Sequence, residues 1–252
     1  MRLAELNWPA VAALSKDTPV VAPIAALEQH GGHLPLFTDS MLLAEVVRRA
    51  EPVLGDRVLW APLFWLGNSH HHLDFAGTLS AAPRTYLDLL GDIIDNLVKH
   101  GFRRIVLLNG HGGNITPARQ AVFEARQRYR EPNGPLFLEA TYWQLASGPR
   151  VLPPSFTQDQ MGHACEWETS MILRLEPRLV GPIEGLEPVP LAAGFEPGAR
   201  GWLTQDRSTT GHIGDPRSAT AAKGQILLEM FATEAAAYLE RVISWDGCSR
   251  LG

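Results

Sequence analysis

The sequence has few cysteines, no apolar N-terminal run and no long apolar stretch. Its 252 residues include two cysteines, Cys165 and Cys248, which are too few for the disulfide framework of a small secreted domain. Residues 1–9 carry acidic and polar side chains where a signal peptide needs an apolar run. No stretch reaches the roughly 18 uninterrupted apolar residues of a membrane span. These absences predict a cytoplasmic protein that does not act at a membrane.

Clustered positive charge is also missing. The chain has 22 Lys and Arg against 27 Asp and Glu, a formal net charge of -5, and its basic residues form no block. A nucleic acid or an anionic membrane surface is bound by such a block, so we expect neither as a partner. The sequence has no internal repeat, and a hydrophobic content of 45% is enough for one large core. We therefore expect a single domain over residues 1–252.

What the sequence does contain is an alternation of strand and helix patterns. Apolar runs typical of strands buried in a sheet occur at residues 19–27, 57–63, 104–108 and 136–140. Apolar spacing predicts helices over residues 39–50, from Pro83 to Gly101, from the Thr116-Pro117 pair to Tyr129, and over residues 220–243. Such alternation indicates an α/β fold in which helices cover both faces of a mostly parallel sheet. The segment from Gly181 to Asp215, rich in Gly and Pro, predicts a lid or an oligomer contact.

Three of the predicted strands are followed by clusters of ionisable residues and glycine, which read EQHGGH, GNSHHH and NGHGGN. Open parallel sheets bind ligands beyond the carboxyl ends of their strands. Glu28 and His30 are two residues apart, so an extended backbone projects both to one side. Asp39 follows a loop that can fold it back beside them. Carboxylate and imidazole ligands suit zinc or manganese, and a carboxylate can bridge two ions, so these residues predict a metal site.

His111 lies in the NGHGGN turn, whose glycines let the backbone turn sharply, and we expect it to reach the same edge of the sheet. A competing interpretation is the phosphate cradle of a nucleotide-dependent oxidoreductase. The pattern G-x-G-x-x-G counted from Gly110 needs its last glycine at position 115, which is Ile115 here. A metal-dependent binding protein without catalysis is a second alternative, because the same ligands would serve it.

Two further motifs add candidate residues. In GHACEWETS, Glu168 enters a predicted helix and can complete the ligands of a second ion, while His163 can exchange protons with the substrate or leaving group. A nucleophilic Cys165 activated by His163 is disfavoured, because side chains two apart on a helical turn point in different directions. Among the histidines at positions 70–72, His72 is our preferred candidate for contacting the substrate or supporting the ligands; simple solvent exposure is the alternative.

Taken together, the segments ALEQHGGHLPLFTD, NSHHHLDFAGTLS, LLNGHGGN and GHACEWETS resemble, in this order, the creatininase (creatinine amidohydrolase) family. The resemblance implies a three-layer α/β/α sandwich, two divalent ions per chain and a hexamer of identical chains. It also implies that Glu28 and His111 hold one ion, that His30 and Glu168 hold the other, and that Asp39 bridges them. We expect zinc, with manganese or iron as alternatives that these ligands also admit.

The sequence departs from creatininase itself directly after the metal-binding histidine. Creatininase has a tyrosine that touches substrate and a glutamate that holds metal, whereas this chain has Gly112 and Gly113, which we assign to the substrate side of the site. Creatinine is therefore not the expected substrate. The family's shared chemistry implies that a water bridging two metals hydrolyses an amide, lactam or formamide of a small polar molecule. We expect His163 to give a proton to the leaving amine.

Overall fold

The computed structural model of the protein describes residues 1–146, 152–153, 155–192, 194–195 and 197–248. Within them, four parallel strands form one sheet in the order β2-β1-β3-β4. The strands are β1 (Val20–Ile24), β2 (Leu59–Trp60), β3 (Arg104–Asn109) and β4 (Leu136–Thr141). The helices are α1 (Trp8–Ala13), α2 (Thr38–Leu54), α3 (Pro83–Lys99), α4 (Ile115–Arg128), α5 (Tyr142–Leu145), α6 (Glu166–Leu175) and α7 (Ala221–Ile243).

Each face of the sheet buries its own set of helices. Val106 and Leu108 of β3 pack in one core with apolar side chains of α2, α6 and α7. Ile105 and Leu107, which alternate with them, pack in a second core with α3 and α4. A parallel sheet covered on both faces must be apolar on both, which explains the uninterrupted apolar runs. The predicted α/β fold with three layers is confirmed, whereas a single domain over residues 1–252 stays a prediction.

The strand predicted over residues 57–63 is much shorter in the structure. Only Leu59–Trp60 pairs with β1 as a regular strand. Pro62 has no N–H group to donate to the ladder, so regular pairing cannot continue through it. The chain still follows the sheet for a further step, because the Ala61 N–H donates to the Val21 carbonyl at 2.8 Å.

The Thr116-Pro117 pair does not begin α4, because the helix begins at Ile115 and runs directly out of a 3-10 turn. The side chain of Asn114, the residue before the helix, is engaged elsewhere. Its Oδ1 accepts from the Asn68 N–H at 2.9 Å, and its Nδ2 donates to the Ala25 carbonyl at 3.0 Å. Asn114 therefore joins the loops that follow β1, β2 and β3 at the carboxyl edge of the sheet.

The helices α6 and α7 are joined by a buried ion pair. The Glu166 carboxylate accepts from Lys223 Nζ at 2.5 Å and also from the backbone N–H groups of Thr157 and Gln158, both at 2.9 Å. Lys223 thus balances the charge of Glu166, and the backbone donors occupy its oxygens, so we assign Glu166 a structural role. Among the described residues, no helix is both long and apolar enough to cross a membrane.

Replacing Lys223 by Met should lower the free energy of unfolding by about 3–5 kcal/mol, because it leaves the Glu166 carboxylate buried without its cation. The control is Arg48→Met, which removes an exposed partner of Glu45 and should change stability by about 1 kcal/mol or less. Urea denaturation followed by circular dichroism measures both. Equal midpoints for Lys223→Met and the wild type would show that the pair does not hold α6 to α7.

Candidate metal centre

Asp39 lies between two buried histidines at the carboxyl edge of the sheet. Its Oδ1 is 3.1 Å from His30 Nε2, and its Oδ2 is 2.9 Å from His111 Nδ1. Asp39 belongs to the first turn of α2, where the helix dipole favours a negative charge. Because the two oxygens face different imidazoles, the carboxylate has the arrangement of an acid that can bridge two ions.

On one side of Asp39 lies Glu28, which is completely buried. Its Oε2 is 3.2 Å from His111 Nε2 and its Oε1 is 3.3 Å from His72 Nε2. Within the described residues, neither oxygen of Glu28 accepts a hydrogen bond of acceptable geometry. A buried carboxylate without donors is costly, so Glu28 fits a role as the ligand of a cation.

On the other side of Asp39 lies Glu168, in the first turn of α6. Its Oε1 is 3.7 Å from His30 Nε2, while its Oε2 accepts from the Ala164 N–H at 2.5 Å. Ala164 has a φ of 48°, a left-handed conformation that residues with a side chain rarely adopt. This strained turn directs the Ala164 N–H at one oxygen of Glu168 and leaves the other oxygen facing His30.

The separations between these groups suit divalent ions. Ligands about 2.0–2.2 Å from a tetrahedral zinc ion lie about 3.3–3.6 Å from one another. Ligand atoms of Glu28, His30 and Asp39 all lie within 4.8 Å of one another, as do those of His30, His163 and Glu168. A third such group joins Glu28 and His111 to His71, which sequence reasoning had passed over. The donor set therefore fits two adjacent ions.

Burial opposes the positive charge of His30 and His111, but the surrounding carboxylates outweigh it. Glu28 and Asp39 raise the pKa of His111 to about 10, and Asp39 and Glu168 raise the pKa of His30 well above its ordinary value. Burial alone would raise the pKa of Asp39, yet the two imidazolium groups lower it. The positive charges of the protonated His30 and His111 rings thus balance the carboxylates, and a bound ion would displace those protons from the rings.

His163 lies in a loop that pairs with Ile213, and its ring faces the centre. Its Nε2 is 2.8 Å from the Gln29 backbone carbonyl and 3.0 Å from Gln29 Nε2. The carbonyl can only accept, and the two amide hydrogens of Gln29 have partners in His72 and the Gly211 carbonyl, so we assign the proton to Nε2. The lone pair of Nδ1 then points toward the centre, where Glu28 Oε1 is 3.6 Å away. Burial and the nearby charge of His30 lower the pKa of His163 to about 3, so the ring is neutral at pH 7.

His72 is buried rather than exposed to solvent. Its Nδ1 lies 2.7 Å from both Gln29 Nε2 and Thr204 Oγ1, which leaves Nε2 facing Glu28. Thr204 belongs to the Gly- and Pro-rich segment, so part of that segment packs against the centre. No signal in the sequence singled out Gln29, because an amide between two predicted metal ligands carries no motif of its own.

Gly112 and Gly113 both line the cavity in front of the centre, but their surroundings differ. A Cβ atom on Gly113 would collide with the Asn68 carbonyl and with His111 Nε2, whereas a Cβ on Gly112 would meet no atom within 4 Å. Position 113 therefore has no room for a side chain in this backbone conformation, whereas position 112 does.

Buried carboxylates and imidazoles at the carboxyl edge of a parallel sheet define a metal-binding α/β protein, and comparison with known proteins identifies its family. The family model described as creatinine amidohydrolase matches residues 4–239. The mycofactocin precursor peptide peptidase of Mycobacterium tuberculosis is 31% identical over 249 residues, covering 92% of this chain and 87% of the relative. The creatinine amidohydrolase of Pseudomonas putida is 28% identical over 243 residues, covering 90% and 92%.

The solved structures agree with this comparison. A mutant creatininase of Zn-Zn type superposes with a TM-score of 0.80 at 27% identity, covering 97% of this chain and 98% of that one, and a manganese creatininase is similar as well. The chain belongs to the creatininase family. Members of this family hydrolyse C–N bonds of non-peptide and peptide-like kinds, so the predicted hydrolase class is confirmed. The comparisons do not favour a nucleotide-dependent oxidoreductase.

Replacing Asp39 by Asn should remove both ions, because the amide offers one weak oxygen ligand and no charge to share between them. Elemental analysis after loading with zinc should give about two ions per chain for the wild type and fewer than one for the variant. Asp88→Asn, an exposed change on α3, is the control and should keep both ions. Full metal content in Asp39→Asn would show that Asp39 is not a bridging ligand.

Replacing Gly113 by Ala should lower the free energy of unfolding of the metal-free protein by about 1–3 kcal/mol, because the new methyl group overlaps a backbone carbonyl. Gly112→Ala adds the same methyl group in open space and should change stability by about 0.5 kcal/mol or less. Chemical denaturation of the two variants side by side measures the difference. Equal stability of the pair would contradict the close approach at position 113.

Proposed function

We propose that the chain is a two-metal amidohydrolase that cleaves the C–N bond of a small-molecule amide, lactam or formamide. The position of Asp39 carries the proposal, because its two oxygens face His30 at 3.1 Å and His111 at 2.9 Å. In this proposal Glu28 and His111 hold one ion, and His30 and Glu168 hold the other. The unpartnered oxygens of Glu28 support the same assignment.

Zinc is the proposed metal, with manganese or iron as alternatives. Solved creatininases include both a Zn-Zn and a manganese form, and carboxylate and imidazole ligands accept any of the three metals. When bound, the ions would supply a Lewis acid that polarises the scissile carbonyl and brings the pKa of a coordinated water close to neutrality.

His163 would move the proton of the reaction. Because the ring is neutral and its Nδ1 lone pair faces the centre, it can first accept a proton from the attacking water. The same nitrogen can then donate that proton to the amine as the C–N bond breaks. The sequence predicts His163 as a proton donor, and the position of its Nδ1 supports an earlier step in which it would act as a base.

The surrounding groups would position this machinery. His72 would hold Glu28 in place, since its Nδ1 is engaged by Gln29 and Thr204 while its Nε2 faces the carboxylate. Gly112 and Gly113 would let the substrate approach His111 closely. A metal-dependent binding protein without turnover is the remaining rival, because ligation alone does not require catalysis.

The compartment and the assembly of the enzyme are also part of the proposal. Cys165 and Cys248 are both unpaired, which supports a reducing compartment such as the cytoplasm. By resemblance to the family we propose a homo-oligomer, with a hexamer as the expected assembly.

A substrate screen tests the function. Metal-loaded protein and the Asp39→Asn variant are incubated with a panel of formamides, lactams and short peptides, and amine release is followed by a fluorogenic assay. We expect metal-dependent turnover of at least one class in the wild type and none in the variant. Two bound ions with tight ligand binding but no released amine would favour the binding protein instead.

Replacing His163 by Ala should leave both metals in place and lower kcat by roughly two to four orders of magnitude, the usual contribution of general acid–base catalysis. Elemental analysis and steady-state kinetics on the same preparation separate the two effects. His100→Ala, at the exposed C-terminal end of α3, is the matched control and should keep full activity. Full activity in His163→Ala would exclude the proposed proton transfer.

A further inference from the structure

We propose that the substrate carries a carboxylate or phosphate remote from the scissile bond, and that Arg84 and Arg200 bind this anion. The inference rests on the proposed amidohydrolase function and adds the charge class of the substrate. It comes from the cavity in front of the metal centre, where carboxylates and imidazoles line the floor and arginines line the outer wall.

The cavity has a volume of about 1010 Å³, at the upper end of what small-molecule pockets offer. Its floor includes the carboxylates and imidazoles of the metal centre. We define its outer wall as the part of the lining that comes from the start of α3, from one face of α4 and from Arg200, Gly201, Trp202 and Arg207. A substrate that fills this space extends well beyond the reacting C–N bond, so the wall can determine specificity.

Positive charge dominates this wall. Arg84, Arg200 and Arg207 line it, and among the described residues of this wall Glu124 is the acid. The Glu124 carboxylate accepts from Gln120 Nε2 at 2.8 Å, but this neutral donor leaves its charge in place, so the wall carries three positive charges against one negative charge. Three arginines around one cavity contrast with a chain whose net charge is -5. Divalent ions on the floor would add positive charge, so the cavity as a whole would attract an anion.

Two of the three arginines are available to a ligand. Arg84 is exposed, and its side chain has no hydrogen bond or ion pair within the described part of the chain. Arg200 is also exposed, and among the described residues its guanidinium group contacts only the ring of Phe195, at 5.9 Å. A guanidinium group presents a planar pair of donors that matches a carboxylate or phosphate, so both side chains suit an anionic group.

Arg207 has a different role, because it is already bound. Its Nη2 donates to the carbonyls of Pro190 and Leu191 at 3.1 and 2.7 Å, and its guanidinium lies 5.1 Å from the ring centre of Trp202. The Trp202 ring also contacts the His71 ring in a T-shaped arrangement, with the ring centres 5.1 Å apart. Arg207 thus packs on Trp202, which in turn contacts His71 beside the metal centre.

The apolar part of the wall indicates what lies between the two ends of the substrate. Trp143, Leu87 and Trp202 line the cavity together with the arginines. Aromatic and aliphatic side chains of this kind pack against a flat or apolar body. The geometry therefore suits an amide at the metals, an apolar body along Trp202, and an anion at Arg84 and Arg200.

Three probes that differ in the group at the end remote from the formamide test the inference. N-formyltyramine is neutral, 4-(2-formamidoethyl)benzoate carries a carboxylate in place of the phenolic hydroxyl, and N-formyl-O-phosphotyramine carries a phosphate on it. Isothermal titration calorimetry on the zinc-loaded His163→Ala variant, in which turnover is slow, gives a Kd for each probe. We expect at least one charged probe to bind tenfold or more tightly than the neutral one, and the preferred anion identifies the chemical source.

Variants connect this preference to the named residues. Arg84→Gln and Arg200→Gln should each weaken the preferred charged probe by about tenfold to a hundredfold, the range for a charge-assisted hydrogen bond, and leave the neutral probe unchanged. Arg130→Gln, an exposed arginine just beyond the C-terminal end of α4, is the control and should change neither. Equal affinities for all probes, equal losses for charged and neutral probes, or no binding of any probe would overturn the inference.

Formate release from the same probes by the zinc-loaded wild-type protein tests the proposed function separately. Tight, arginine-dependent binding of a charged probe without formate release would support the anion site and contradict formamide hydrolysis. Formate release at equal affinity for all three probes would support hydrolysis and contradict the anion site.

Discussion

The burial of three carboxylates at one edge of the sheet is the constraint on which the site depends. Glu28, Asp39 and Glu168 are almost completely excluded from water. Like charges so close together repel one another strongly in a medium that screens poorly, unless cations lie between them. In the metal-free chain, protons on His30 and His111 supply that positive charge. Two divalent ions would supply it more fully, and the chemistry proposed for the protein follows from that replacement.

Strand ends and helix starts fix the positions of these groups. Glu28 and His111 follow neighbouring parallel strands, so their separation is set by the sheet. Asp39 and Glu168 lie in the first turns of α2 and α6. The apolar faces of these two helices pack in the same core. The amide of Asn114 joins the loops that follow three of the strands. The sheet and the helices packed on it thus hold the centre. The arginines of the outer wall come from α3 and from an irregular segment.

The parts of the site that lie at strand ends could be predicted from the sequence. Parallel strands bring their carboxyl ends to one edge, so EQHGGH and NGHGGN had to meet, and carboxylates beside histidines indicated a metal. The roles of single atoms could not be predicted, because they depend on tertiary contacts. The proton on His163 Nε2 is fixed by the Gln29 carbonyl, and the held oxygen of Glu168 depends on the unusual φ of Ala164. The start of α4 depends likewise on the competing bonds of Asn114, whereas the shortening of β2 follows from Pro62, which is visible in the sequence.

The most direct test of the account is an anomalous difference map, recorded at the zinc absorption edge from crystals of the zinc-loaded protein. The account predicts two peaks about 3.5–4 Å apart, with Asp39 between them. One peak should contact Glu28 and His111, and the other should contact His30 and Glu168. A single peak, or a pair in which Asp39 contacts neither ion, would contradict the bridged two-metal centre.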